Sequence, residues 1–176
     1  CIGVIWFGTV LFLLSALVVV QVHGWAADDA EGRLETVLAA GASRDRVVLE
    51  RIAALLVSAG LVAATSSLVV FRSASAFGIA VDGDRVAVAT ALALAVVFAF
   101  AGVGHLVVGW RPRIAVVSLG AVAVISYLIQ QFAPLFDAPV WVERLSMYSL
   151  YGAPMSKDEW GGAVALLTIG AAGTIL

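Results

Sequence analysis

Residues 86–113 read VAVATALALAVVFAFAGVGHLVVGWRPR. No Asp, Glu, Lys or Arg occurs from Val86 to Trp110, and the run ends on a tight basic turn, Arg111-Pro112-Arg113. A helix needs about 20 apolar residues to cross the hydrocarbon core of a bilayer, so this one stretch predicts a membrane span followed at once by another. Working outward, charge-free blocks also cover 1–27, 52–71, 114–136 and 160–176, and every charged residue falls in the gaps between them. The chain of 176 residues is 62% hydrophobic and 12% charged, with mean hydropathy +1.08. Soluble domains carry about twice that share of charge.

Backbone amides in lipid must be satisfied within the element that crosses it, and the period-2 pattern of a barrel strand is absent. The expected fold is therefore all-α: a polytopic transmembrane domain with five spans, at about 2–22, 47–71, 86–110, 114–132 and 160–176. Pro112 suits the first turn of the fourth span, and Asp82-Gly83-Asp84 marks a turn before the third. Arg33, Arg44, Arg46, Arg51, Arg111 and Arg113 fall on one side of the membrane, and Arg72, Arg85, Arg144 and Lys157 on the other. The Lys/Arg excess places the first set in the cytoplasm. A net charge of -2 gives no reason to expect nucleic acid. One cysteine, Cys1, allows no intrachain disulfide. The chain starts on Cys and stops inside an apolar run, so it is expected to be part of a longer polypeptide.

One polar segment interrupts this pattern soon after the first span: Glu31 to Arg46, EGRLETVLAAGASRDR. Leu34, Val37 and Leu38 fall at i, i+3, i+4 and form a narrow apolar stripe. Asp28 or Asp29 is expected to cap a short helix over about 29–40, Gly41 to end it, and Ser43 to cap the next. An interfacial helix resting on headgroups is one reading. The narrow stripe, the lack of Trp or Phe anchors and the acidic start favour docking in a groove of a partner protein.

Glu31-Gly32-Arg33-Leu34-Glu35-Thr36-Val37-Leu38-Ala39-Ala40-Gly41-Ala42-Ser43-Arg44 resembles the cytoplasmic coupling segment of ABC type-2 exporter permeases, most of all actinobacterial antibiotic exporters of the polyketide or tetronasin type. The later Trp141-Val142-Glu143-Arg144-Leu145-Ser146 is similar to that family's W-x-x-x-L-S-P-F region, although Met147-Tyr148 stands where the family has Pro-Phe. Tyr151 to Pro154 and Asp158 to Gly162 are similar to the approach to its last span. The resemblance implies a multi-pass subunit of a bacterial plasma membrane. It would export a hydrophobic or amphiphilic small molecule, drug or antibiotic among them, by alternating access. A second permease half or copy, surrounding lipid and a dimer of separate ATP-binding subunits would be its partners, with ATP and Mg bound by the latter. The coupling helix would present Leu34, Val37 and Leu38 as its ridge, and Glu31, Arg33, Glu35 and Arg44 as the polar surround. At least one span would precede Cys1.

Other candidates are weaker. Glu50 and Arg51 at the mouth of the second span suit either a gate-lining pair or a charge pair at headgroup level. Gln130 and Gln131, with Ser126 and Tyr127 a turn earlier, suit an external vestibule or a plain interfacial end. His105 is expected to be neutral and hydrogen-bonded to a neighbouring helix, and His23 to be interfacial. Trp141, Leu145 and Tyr148 at i, i+4, i+7 suggest a short external helix anchored at the interface. Gly60, Ala64 and Ser67 suggest close helix packing on one face of the second span. No metal-ligand spacing, no nucleophile arrangement and no phosphate-cradling G-x-x-x-x-G-K-[ST] loop occurs in the sequence, so neither a catalytic site nor a cofactor of its own is expected. A membrane scaffold or sensor that docks a cytosolic partner is the alternative to transport.

Overall fold

The computed structural model describes residues 2–175 apart from 40, 42, 137, 138, 144, 145 and 152–159. The side chains of 2–7, 34, 37, 112, 113, 134, 135, 140, 143, 160, 161 and 175 also lie outside the described set. Among the described residues the chain is almost entirely helical and has no strand. Its elements are α1 (Ile2–Ala30), α2 (Arg33–Ala39), α3 (Arg44–Ala76), α4 (Gly83–Trp110), α5 (Pro112–Phe132), α6 (Val140–Glu143) and α7 (Trp160–Ile175), with 3₁₀ turns at Ala133–Phe136 and Met147–Leu150. Helices α1, α3, α4 and α5 are long and apolar enough to cross a membrane, and α7 is a shorter apolar helix of 16 residues.

The quoted run lies at the centre. Asp82 caps α4, its Oδ1 accepting from the Asp84 N–H at 3.0 Å, and a single residue, Arg111, separates α4 from α5. Helix α4 packs against α7, α3, α1 and α5. Its apolar stretch is 61% buried inside the bundle, against 17% for α3. That contrast reflects position: α4 touches four helices, α3 chiefly α4 and α1. Gly102 of α4 lies so close to α7 that a Cβ there would sit 2.5 Å from the Gly170 carbonyl oxygen, and a Cβ on Gly173 would strike the backbone of Gly102. Without side chains between them the two backbones meet, as membrane helices do at small residues. Of Gly60, Ala64 and Ser67, where close packing was expected, only Ser67 meets a neighbouring helix among the described residues. Gly60 has open space where its side chain would be, Ala64 is exposed, and Ser67 shares a 2.6 Å hydrogen bond with Thr90 of α4.

The first helix continues beyond residue 22 to Ala30, so Asp28 and Asp29 sit in its last turn and do not cap α2. The break comes at Gly32, whose φ of +70° is the left-handed conformation that glycine adopts at least cost. The helix after it is correspondingly short, seven residues, and Gly41 beyond its end has φ +92°. Ser43 then caps α3, its Oγ accepting from the Arg46 N–H at 3.4 Å.

The connection from α5 to α7 also differs from expectation. In place of one anchored amphipathic helix, the described residues show a four-residue α6, then the Met147–Leu150 turn. Trp141 is 64% exposed while Tyr148 is 1% exposed, so the two do not share a face. Leu145 lies outside the described residues.

Candidate functional site

The polar end of the bundle, where α1 turns into α2 and then α3, gathers most of the predicted site residues. Two acids at the C-terminal end of α1 meet the negative pole of its own helix dipole, so they need cations nearby. Arg51, about two turns into α3, supplies one. Its Nη2 lies 3.2 Å from Asp28 Oδ2 and its Nη1 3.7 Å from Asp29 Oδ1. Arg33, the first residue of α2, supplies a second, with Nη1 3.6 Å from Asp28 Oδ1 and Nη2 on Glu31. Asp28 thus bridges two arginines from two different helices. The result is a charge clamp that ties α1, α2 and α3 into one unit on either side of the Gly32 turn.

A cavity of about 310 Å³ opens beside this clamp. Trp25, Asp29, Arg51, His105 and Thr174 line it, from α1, α3, α4 and α7. Asp29 Oδ1 is buried there without a hydrogen-bond partner among the described residues, apart from its longer ion pair. His105 is half-buried, and the hydrogen bond expected for it to a neighbouring helix is absent among the described residues. His23 is exposed.

The structure separates Glu50 from Arg51. Glu50 accepts from Arg46 Nε at 2.8 Å on the exposed side of α3, while Arg51 turns inward to the two aspartates. They do not form a pair with each other. Along α2, Glu35 and Thr36 are exposed and Leu38 is half-buried. The side chains of Leu34 and Val37 lie outside the described residues, and Arg44 is exposed at the start of α3.

At the other end of the bundle Gln130 and Gln131 are half-buried at the close of α5, and Gln131 Nε2 donates to Tyr127 Oη at 3.3 Å. Ser126 has a larger role than they do. Its carbonyl accepts from Ser146 Oγ at 2.9 Å and its Oγ accepts from the Met147 N–H at 3.2 Å. Tyr148 Oη donates to Ser15 Oγ of α1 at 2.8 Å, and Tyr151 Oη to the Ala89 carbonyl of α4 at 3.2 Å. Burial pushes the Tyr148 phenol up to about 12, and the Tyr151 phenol also rises through burial, so both are neutral donors at physiological pH. These contacts form a strap from Ser146 to Tyr151 that pins α1, α4 and α5 together. Sequence reasoning missed both Ser15 and the Asp28–Arg51 pair. A lone serine inside an apolar run was the available signal for the first. The second had none, because the helix limits decide which way the aspartates point.

Over residues 3–176 the chain matches the family model for the C-terminal domain of the multidrug efflux system permease Rv1217c. No curated protein and no solved structure matches it.

Proposed function

We propose, from the premise that this chain belongs to the family of the Rv1217c permease C-terminal domain, that it is the membrane half of an ATP-driven exporter whose motor is a separate ATP-binding subunit. Family membership makes it a permease domain of an efflux transporter in a membrane. The driving force, the docking site and the substrate class are our reading. Helix α2 is the docking element, on the cytoplasmic side of a bacterial plasma membrane. Its cargo is a hydrophobic or amphiphilic small molecule.

The observation that carries this reading is the clamp. A short helix that merely floated on headgroups would need no charge link to its neighbours. Here Asp28 binds Arg33 on α2 and Arg51 on α3 at once, so a push on α2 moves the ends of both α1 and α3. The Arg51 link is the firmer one, with side chains 22% and 38% exposed, while Arg33 is 68% exposed, so the clamp couples the helices yet opens at modest cost. The exposed acids Glu31 and Glu35 flank the contact surface, where charge sets partner choice and encounter rate more than affinity. The largely unburied α3 and α5 leave room for a second permease half. ATP and Mg belong to the motor subunits, a dimer in this reading.

The test is the double variant Leu34→Asp/Leu38→Asp in the intact transporter. Membrane insertion should be normal, copurification of the ATP-binding subunit should be lost, and substrate-stimulated ATPase activity should fall by at least tenfold. Unchanged copurification and unchanged stimulated ATPase activity would refute the docking role of α2.

A further inference from the structure

Two apolar cavities lie along one face of α4 and share part of their walls. The first, about 720 Å³, runs between α4 and residues Leu56 of α3 and Leu167 of α7. The second, about 530 Å³, lies between α4 and the far end of α3, with Ser67 and Phe71 in its wall. Ala87, Ala91 and Leu94 belong to both, so the two are one trough whose floor is an i, i+4, i+7 stripe of α4. Two of the three floor residues, Ala87 and Ala91, are small. From Ala87 to Phe98, at a rise of about 1.5 Å per residue, the trough is roughly 16 Å long. One leaflet of the hydrocarbon core is about 15 Å deep.

Two charged residues follow wall residues of the second cavity in sequence, Arg72 after Phe71 and Asp84 after Gly83. Asp84 stands one turn before Ala87 and Val88 on the same side of α4. The ends of the two helices are close there, since a Cβ on Gly83 would lie 3.7 Å from the Phe71 ring. Arg85 is occupied with Asp82 at 3.6 Å. Arg72 and Asp84 are exposed and make no ion pair among the described residues. An apolar trough about one leaflet long thus has one cation and one anion next in sequence to its wall at one end, neither in an ion pair among the described residues.

We propose that this trough holds one acyl chain of a phospholipid with an amine headgroup, its phosphate on Arg72 and its ammonium on Asp84. Burial of the acyl chain gives no preference by itself, because the surrounding tails are equally apolar; contact packing and the headgroup must supply it. A phosphatidylethanolamine answers both charges and can donate N–H hydrogen bonds to Asp84. A choline headgroup has no N–H to donate. A glycerol headgroup leaves Asp84 facing a net negative lipid. The site concerns a bound lipid and holds whether or not α2 docks a motor.

The experiment is lipid retention by the full transporter. The protein is exchanged into nanodiscs of equal phosphatidylethanolamine, phosphatidylcholine and phosphatidylglycerol, then stripped with detergent, and the retained lipid is quantified by mass spectrometry. Wild type should keep the ethanolamine lipid over the glycerol lipid by roughly threefold to fivefold, the range expected of surface-type charge contacts. Asp84→Asn and Arg72→Gln, at exposed positions that leave the packing untouched, should each bring that ratio close to one. Ala91→Trp, which fills the floor, should remove about one retained lipid per chain, whereas Val117→Trp on the exposed face of α5 should not. No enrichment in wild type, enrichment of the glycerol lipid, or ratios unaffected by both charge variants would overturn the proposal. If Ala91→Trp fails to fold, the two charge variants decide.

Discussion

The two ends of this bundle are fastened by opposite chemistry. At the α2 end the fastening is charged and half open to solvent: Arg33, Asp28, Asp29 and Arg51, with side chains between 22% and 68% exposed. At the other end it is neutral and buried: Ser15, Ser126, Ser146 and Tyr148 are each 2% exposed or less. Water can replace what a charged clamp loses when it opens. Nothing replaces a hydrogen bond lost inside a packed bundle. The first end is therefore built to move with modest cost, and the second to hold. On the proposed function, the first end would be the lever and the second the fulcrum.

The largest expected effect lies at the fulcrum. Tyr148→Ala removes a fully buried ring that lies 5.9 Å from the Phe100 ring together with the bond to Ser15. It should destabilise the protein by about 3 to 5 kcal/mol and lower its melting temperature in detergent by several degrees. Tyr148→Phe keeps the ring and should cost only about 1 kcal/mol, the usual worth of one hydrogen bond between membrane helices. If the two variants melt alike, the strap is held by its hydroxyl and not by packing.

Arg51→Leu tests the lever. It leaves two acids at the wrong pole of α1 without their inward cation, yet partial exposure lets water compensate. The loss of stability should be about 1 to 2 kcal/mol, smaller than for Tyr148→Ala. The loss of stimulated ATPase activity should be the greater of the two. Adding Asp28→Asn and Asp29→Asn should restore stability but not coupling. A triple variant that couples normally would show that the clamp is ballast.

How far these ends were legible in the sequence differs between them. Charge-free blocks and the Arg111-Pro112-Arg113 turn locate the long helices, because bilayer thickness and the dearth of charge act on every residue of a span. Gly32 and Asp28 show where such reasoning stops. A polar residue after an apolar run reads equally well as the last turn of one helix or the cap of the next, and only the positive φ at Gly32 decides. That choice moved the aspartates from α2 to α1 and created the pair with Arg51. The Trp141–Leu145–Tyr148 stripe misled for another reason. Its period was helical, but Trp141 lies on the exposed side of the short α6 while Tyr148 sits in a 3₁₀ turn and reaches Ser15 inside the bundle. Contacts between residues 133 positions apart leave no local trace.

Alkali sharpens the contrast further. The Tyr148 phenol is raised in the folded state, from the ordinary 10 to about 12, by burial first. The folded protein therefore holds this proton more tightly than the unfolded chain does. Stability from this group is full below pH 10 and falls as pH rises from 10 towards 12. Melting temperature should follow that decline in wild type and follow it less steeply in Tyr148→Phe. An identical decline in both would mean that other groups set the alkaline limit.

The smallest effect is expected for Glu50→Gln, and it is the variant that tells position from charge. Glu50 and Arg51 are neighbours, and both make an ion pair. The Glu50–Arg46 pair is at 2.8 Å, shorter than either contact of Arg51. Distance alone would rank it first. It is nevertheless an i, i+4 pair within one helix, with side chains 64% and 74% exposed, and such pairs contribute only about 0.3 to 0.5 kcal/mol. It joins no second element, so its loss changes no relation between helices. Melting temperature and stimulated ATPase activity should both stay within error of wild type. If Glu50→Gln uncoupled the transporter while remaining folded, α3 would transmit force through its exposed face, and the division of this bundle into a charged lever and a neutral fulcrum would have to be redrawn around that face.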